Sequence, residues 1–312
     1  MDPVILFFVL GLVAGLARSD LRLPPAIYEL LSILLLLAIG LKGGVELSRQ
    51  SLADVLPQML AVVGMGIVIP LLVFSVLMLT RRIDRPNAAA LAGHYGSVSV
   101  GTYAVGVAFL ASIGVAFEAH LALFLVLLEM PAIVVGIMLA RGISRDTQWG
   151  RLLHEIFFGK SIVLLLGGLL IGWVAGPEGI EPLEPLFIDS FKGVLALFLL
   201  EMGLIAASQA GEIRRRGLFL VTLGVLAPVP LAVIGAVLGW LLGLSVGGTT
   251  LLAVLAGSAS YIAAPAAMRI ALPEANPSLS LTAALGITFP FNIFIGIPVY
   301  YAIAGYLHGI GG

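Results

Sequence analysis

The chain alternates long apolar runs with short polar connections. A helix crossing ~30 Å of hydrocarbon needs about 20 apolar residues, and by that ruler the pattern predicts ten spans. They cover residues 3–17, 25–41, 56–79, 87–111 and 120–140 in the first half, and 161–175, 186–207, 218–242, 248–272 and 278–307 in the second. Spans 1, 2 and 6 are short. Spans 4 and 9 have Gly/Ser-rich centres. The opening stretch MDPVILFFVLGLVAGLA carries an acid instead of a basic n-region, so it reads as a retained first span and not a cleaved signal.

Composition narrows the class. Charged residues are 11% of the 312, against about 25% in an average soluble domain. So few charges cannot cover a soluble surface, which excludes an ordinary globular enzyme, a disordered chain and a collagen-like repeat. A net charge of −1 offers no basic footprint for nucleic acid. The absence of cysteine excludes disulfides, Cys-ligated zinc, iron–sulfur clusters and a thiol nucleophile. His94, His120, His154 and His308 form no HExxH-type pair. An all-α polytopic membrane protein remains, placed by default in the cell (inner) membrane.

The basic residues test the span count, because Lys and Arg should collect in alternate, cytoplasmic loops. The odd-numbered loops and adjoining span ends hold 13 of the 16: Arg18, Arg22, Arg81, Arg82, Arg85, Arg141, Arg145, Arg151, Lys160, Arg214, Arg215, Arg216 and Arg269. The even loops hold only Lys42 and Arg49, with Lys192 inside span 7 near Asp189, where the two are read as a pair near a helix end. This alternation predicts cytoplasmic odd loops and both termini outside.

The halves echo each other. Gly40 near the end of span 2 matches Gly203 of span 7 at an offset of 163, Gly96-Ser97-Val98-Ser99 matches Gly257-Ser258-Ala259-Ser260 at 161, and Pro131 matches Pro290 at 159. Five spans per half, an odd number, send the halves into the membrane from opposite sides. This is the inverted-repeat plan of secondary transporters. The predicted organisation is a first repeat over 1–140, a cytoplasmic linker over 141–160 and a second repeat over 161–312.

Irregular backbone is tolerated in lipid only where it is buried or lines a cavity. Residues 96–102 and 257–265 combine Gly, Ser, Thr and Pro265, all poor helix formers, so the fourth and ninth helices are expected to be discontinuous and to cross near the midplane. Half-helix N-termini suit a small anion, and freed carbonyls suit Na⁺ or H⁺. The expected substrate-binding set is Gly96, Ser97, Ser99, Gly101, Thr102, Gly257, Ser258, Ser260 and Tyr261. Coupling-ion candidates are Glu129, Ser99, Thr102, Ser260 and Asn292. Glu129 reads equally as an ion ligand or a structural hydrogen-bonding group, and Glu201 as functional or interfacial. Asn292 is placed to bond the facing break, and Tyr261 to shape the pocket or merely pack. His94 reads as a core histidine before a proton relay. No catalytic residue, cofactor or resident metal is expected. An intramembrane hydrolase using Ser97 or Ser99 with His94 lacks a G-x-S-x-G turn, and a receptor with a vestigial pocket is the remaining rival.

At these residues the chain resembles the sodium-dependent bicarbonate transporters of the SbtA type. The likeness covers nearly the whole chain and rests on IGLKGGVELS (Ile39 to Ser48), YGSVSVGTYA (Tyr95 to Ala104), EMPAIV (Glu129 to Val134) and AGSASYIAAPAAMRIALPEANPS (Ala256 to Ser278). The resemblance implies a gate part (spans 1, 2, 6 and 7), a core part (spans 3–5 and 8–10) and a homotrimer. It also implies bicarbonate and sodium bound where spans 4 and 9 cross. Ser99, Thr102, Ser258 and Ser260 are similar to family positions, and Glu129 falls where cyanobacterial members have an Asp. Tyr261 stands where an Asp is expected, which leaves sodium or proton coupling open, and an organic carboxylate is the alternative substrate. Loop 5, about twenty residues, is shorter than the family's cytoplasmic insert and gives no support to a PII-like regulatory partner.

Overall fold

Lipid tails are as apolar as leucine, so helices in a membrane associate through close packing at small residues. That rule organises this molecule. The computed structural model describes residues 3–49, 52–142, 150, 153–154 and 157–309. Much of the expected 141–160 linker, with Arg145 and Arg151, lies outside the described residues, as do both extremes of the chain.

Helices α1 (Pro3–Leu16), α2 (Pro25–Leu47), α3 (Leu52–Thr80), α4 (Arg85–Gly96), α5 (Val100–Ser112) and α6 (Leu121–Arg141) form the first half. The second half holds α7 (Lys160–Ile180), α8 (Phe191–Ser208), the short α9 (Ala210–Arg216), α10 (Leu218–Leu241), α11 (Val246–Ala256), α12 (Ala263–Ala271) and α13 (Pro277–Leu307). Among the described residues, eight helical runs are long and apolar enough to cross a membrane, with α4 and α5 counted as one run. The helices α1 and α11 are apolar but shorter. Large apolar side chains such as Leu6, Leu10, Val76, Leu79, Leu170, Val174 and Leu241 point outward, the surface expected of a protein solvated by lipid.

Some helix ends differ from the hydropathy expectation, and one coincides with it by way of a turn. Helix α2 continues past residue 41 through Lys42-Gly43-Gly44, because its glycines are used in packing. Helix α7 runs to Ile180, but Gly176 (φ 65°) turns the chain out of helical geometry just before Pro177, so its regular part ends where the pattern put it. Helix α8 begins at Phe191 instead of 186, because Pro185–Asp189 forms a separate wide turn.

Helix α1 packs along α8, and α2 along α7. Each contact is a small-xxx-small seam: Gly11/Gly15 against Gly203/Ala207, and Gly40/Gly44 against Gly168/Gly172. A Cβ on Gly44 would collide with the Leu169 carbonyl, one on Gly203 with the Phe8 carbonyl, and one on Gly40 would come 2.7 Å from the Leu165 oxygen. The helices therefore touch backbone to backbone, and only glycine fits. Exchanging the two halves turns one seam into the other.

Helices α4 and α11 are enclosed. Every residue from Ala88 to Gly96 and from Gly247 to Ala256 is buried. The first is held by α3 and α6, the second by α10 and α13. Each starts at a side-chain cap: Asp84 accepts from the Asn87 N–H, and Ser245 from the Gly248 N–H. Asn87 in turn accepts from the Asn276 N–H (2.7 Å). Asn276 accepts from Ser278 to start α13, so the sequence-specific ANPS motif is a loop tie and helix cap. Arg141 and Glu274 reinforce the same end at 3.1 Å.

The seams carry a contrast. Gly44→Ala must force α2 from α7 and lower stability by about 1–3 kcal/mol. Gly167→Ala, on the same seam's outer side with open space around it, is expected to be neutral or stabilising by about 0.5–1 kcal/mol. Unfolding titrations in mixed micelles measure both. Equal effects would contradict the packing described.

Candidate functional site

Both expected discontinuities are present. Between α4 and α5 the chain is extended at Ser97 (ψ −175°) and Ser99 (ψ 111°), and between α11 and α12 residues 257–262 are non-helical. The two breaks touch. The Ser99 N–H donates to Ser258 Oγ (3.0 Å), and the Ser260 N–H donates to the His94 carbonyl (2.8 Å). Each break thus satisfies backbone groups freed by the other in a water-poor interior.

The serines also restart the helices. Ser99 Oγ accepts from the Thr102 N–H (3.0 Å) and hydroxyl (2.8 Å), capping α5. Ser260 Oγ, two residues ahead of the N-cap Ile262, accepts from the Ala264 N–H (3.2 Å) in the first turn of α12. Ser99 and Ser260, 161 apart, thus each bond the start of the half-helix that follows. The Ser258 hydroxyl is fully engaged, donating to the Leu255 carbonyl (2.9 Å) while accepting from Ser99. Asn292 does bond the facing break: its Nδ2 donates to the Gly257 carbonyl (2.8 Å), and its Oδ1 accepts from Tyr300 (2.6 Å). Asn292 lies in a widened, π-type turn after Pro290, where the missing proline N–H loosens the helical ladder.

The twofold echo fails at one point. The counterpart of Ser99 N–H to Ser258 is Ser260 N–H to Ser97, but Ser260 bonds His94 instead. The Ser97 hydroxyl, fully buried, is left without a partner. The Tyr261 hydroxyl, also buried, lies against the Ser99 side chain and the Gly101 backbone without a well-aligned hydrogen bond to either. Its ring meets Phe289 edge to face (5.4 Å, 76°), and its oxygen lies so close over Gly101 that a Cβ there would collide with it. Phe198 covers the same glycine from α8 and stacks on Tyr28 (5.8 Å, 18°). Gly96 is pressed against Pro70 and Ala132.

Glu129, on α6, is 1% exposed, and its Oε2 has no partner. It lies one turn from Ala132 on the same helix face, which places it beside the first break. Glu201 is half-buried on α8, three residues beyond Phe198, with Oε2 unpartnered. His94 Nδ1 faces the Ala90 carbonyl at 2.7 Å; a carbonyl only accepts, so Nδ1 carries the ring proton. Neither ring nitrogen bonds a serine hydroxyl, so the histidine and serines do not form a nucleophile–base pair.

A cavity of about 240 Å³ lies between α2, α5, the start of α6 and the start of α8, and reaches Tyr103, next to Thr102. A smaller one of about 120 Å³ lies by Lys160 and α12. Lys192 and Asp189 line the larger cavity and form no ion pair with each other, contrary to the expectation that they pair. Phe198, Phe289 and Tyr103 carried no signal in the sequence, since aromatic residues within apolar runs are ordinary core.

No curated protein matches the chain significantly. Residues 3–305 match the Na⁺-dependent bicarbonate transporter superfamily, and with nearly its whole length covered the chain belongs to that superfamily.

Proposed function

We propose that the protein is a secondary active transporter that imports bicarbonate, or a similar small monovalent anion, together with sodium. The observation that carries this reading is the unpartnered buried hydroxyl of Ser97, with the Tyr261 hydroxyl close against Ser99 and Gly101, at the junction of two half-helix N-termini. A buried polar group without a partner is costly, and an anion accepting from both removes the cost. No Arg or Lys occurs between Arg85 and Arg141 or between Arg216 and Arg269, so the charge to be met is small. The tight cover of Gly101 by Tyr261, Phe198 and Phe289 favours a small anion over a bulky carboxylate.

Glu129 is the coupling-ion group in this account. An ionised carboxylate without a partner in lipid is expensive, so Glu129 either binds a cation or holds a proton. A co-transported cation also offsets the ~2.3 kcal/mol per 100 mV that an anion meets on entering a negative interior. The Ser99 and Ser260 oxygens already accept local hydrogen bonds, and the Thr102 hydroxyl donates to Ser99.

The architecture proposed with it is ten crossings in two inverted five-helix repeats, with termini outside, in a cell (inner) membrane. The interchangeable glycine seams and the helix-starting pairs Asp84/Ser245 and Ser99/Ser260, each 161 apart, support it. The seams (α1, α2, α7, α8) form the gate part and the broken helices with their neighbours the core part. A homotrimer rests on the family likeness alone, and a PII-like partner has no support here.

Uptake of labelled bicarbonate into proteoliposomes tests the function. Inward sodium should drive accumulation, and a carboxylate panel should compete poorly; uptake indifferent to sodium, or blocked by bulky carboxylates, would contradict it. Ser97→Ala and Tyr261→Phe should each raise KM about 10- to 150-fold, the worth of a hydrogen bond to a charged group, with thermal stability unchanged. Ser258→Ala should also destabilise, by about 1–3 kcal/mol, because the Ser99 N–H loses its acceptor. Glu129→Gln should abolish sodium-driven accumulation while leaving bicarbonate counterflow measurable. Retained sodium-driven accumulation in that variant would remove Glu129 from the coupling site.

A further inference from the structure

We propose that the 240 Å³ cavity is an anion-gathering vestibule whose charged walls are Lys42 and Lys192, a binding site distinct from the helix crossing. The chain has only three lysines, and packing brings two of them, 150 residues apart in sequence, to one cavity. Lys42 ends the apolar run of α2, and Lys192 sits in the first turn of α8. Both side chains are exposed, and among the described residues neither forms an ion pair. Asp189 is the one carboxylate lining the space, so the walls carry a net charge of about +1. The rest of the lining is apolar, including Ile39, Phe117 and Tyr103. Lys42 lies 5.8 Å from the centre of the Phe117 ring, a contact that steadies the ammonium group without neutralising it.

A cleft with low-dielectric walls and one sign of charge concentrates the opposite ion. The volume far exceeds the ~10–15 Å³ that one water needs, so a small anion enters with part of its hydration. Its inner wall, Tyr103, adjoins Thr102 in the first turn of α5, so an anion held here waits beside the crossing. The opposite cavity differs: its lysine, Lys160, lies 3.8 Å from Glu29. The asymmetry gives one mouth of the molecule a free positive charge and the other a paired one.

The functional meaning of the vestibule rests on the transport reading above, and the test separates the two. Uptake kinetics are compared for wild type, Lys42→Gln/Lys192→Gln, the charge-keeping Lys42→Arg/Lys192→Arg, Asp189→Asn and Lys160→Gln, at fixed sodium with choline gluconate setting ionic strength. The double Gln variant should raise KM about five- to tenfold in dilute buffer with kcat unchanged. The gap should shrink below about twofold near 1 M salt, where the screening length is ~3 Å. The Arg variant should match wild type, Asp189→Asn should lower KM, and Lys160→Gln should not change it. Unchanged KM in the double Gln variant, or a rise indifferent to salt, overturns the vestibule while leaving transport intact. If wild type takes up no bicarbonate, acetylation of the lysines of the detergent-solubilised protein by a water-soluble amine reagent, which reaches both faces, still reads the site. Bicarbonate should slow Lys42 and Lys192 at least about twofold relative to Lys160, and equal rates at all three overturn the proposal.

Discussion

The fold depends on two hydrogen bonds between broken helices. Interrupting a helix in lipid strands backbone donors and acceptors where no water can reach them, each at a cost of several kcal/mol. Here the Ser99 N–H finds Ser258, and the Ser260 N–H finds the carbonyl of His94. Neither interruption is tolerable without the other. That mutual need explains why the halves are packed as they are. The enclosing helices α3, α6, α10 and α13 keep lipid away from the crossing, while α1 packs on α8 and α2 on α7 through the glycine seams.

The crossing is nearly symmetric in its hydrogen bonds, and a buried hydroxyl is left over where that symmetry lapses. Two serines each bond the start of the half-helix that follows, yet Ser258 is bonded on both sides and its counterpart Ser97 on neither. The second break also brings in Tyr261, whose hydroxyl lies against Ser99 and Gly101. A perfectly self-satisfied crossing would be a structural joint with nothing to offer a ligand. The Ser97 hydroxyl and the Glu129 carboxyl are buried polar groups left over, and the transport proposal rests on them.

Much of this was legible in the sequence, for a physical reason. Breaking a membrane helix takes Gly, Ser, Thr and Pro in one short stretch, and such stretches stand out against Leu and Val; residues 96–102 and 257–265 were found that way. The matching positions 161 apart were legible because similar caps and seams need similar small residues. What escaped notice was decided by packing at long range. Nothing local says that Phe198 will cover Gly101, that Lys42 and Lys192 will share a cavity, or that Ser260 will choose His94 over Ser97. Boundaries slipped where a residue served packing instead of hydropathy, as with Gly43 and Gly44 in α2.

Belonging to a Na⁺-dependent bicarbonate transporter superfamily and carrying an unsatisfied buried hydroxyl where two broken helices meet are independent facts that point the same way. The central claim is that residues 97–99 meet residues 257–260 inside the membrane. The chain has no native cysteine, so a Ser99→Cys/Ser258→Cys pair can be oxidised in isolated membranes against zero background. The account predicts rapid, near-complete intramolecular disulfide formation, reversed by reductant and absent from a Ser99→Cys/Ser112→Cys control. Failure to cross-link, with both thiols still free to react with maleimide after denaturation, would show that the breaks do not meet.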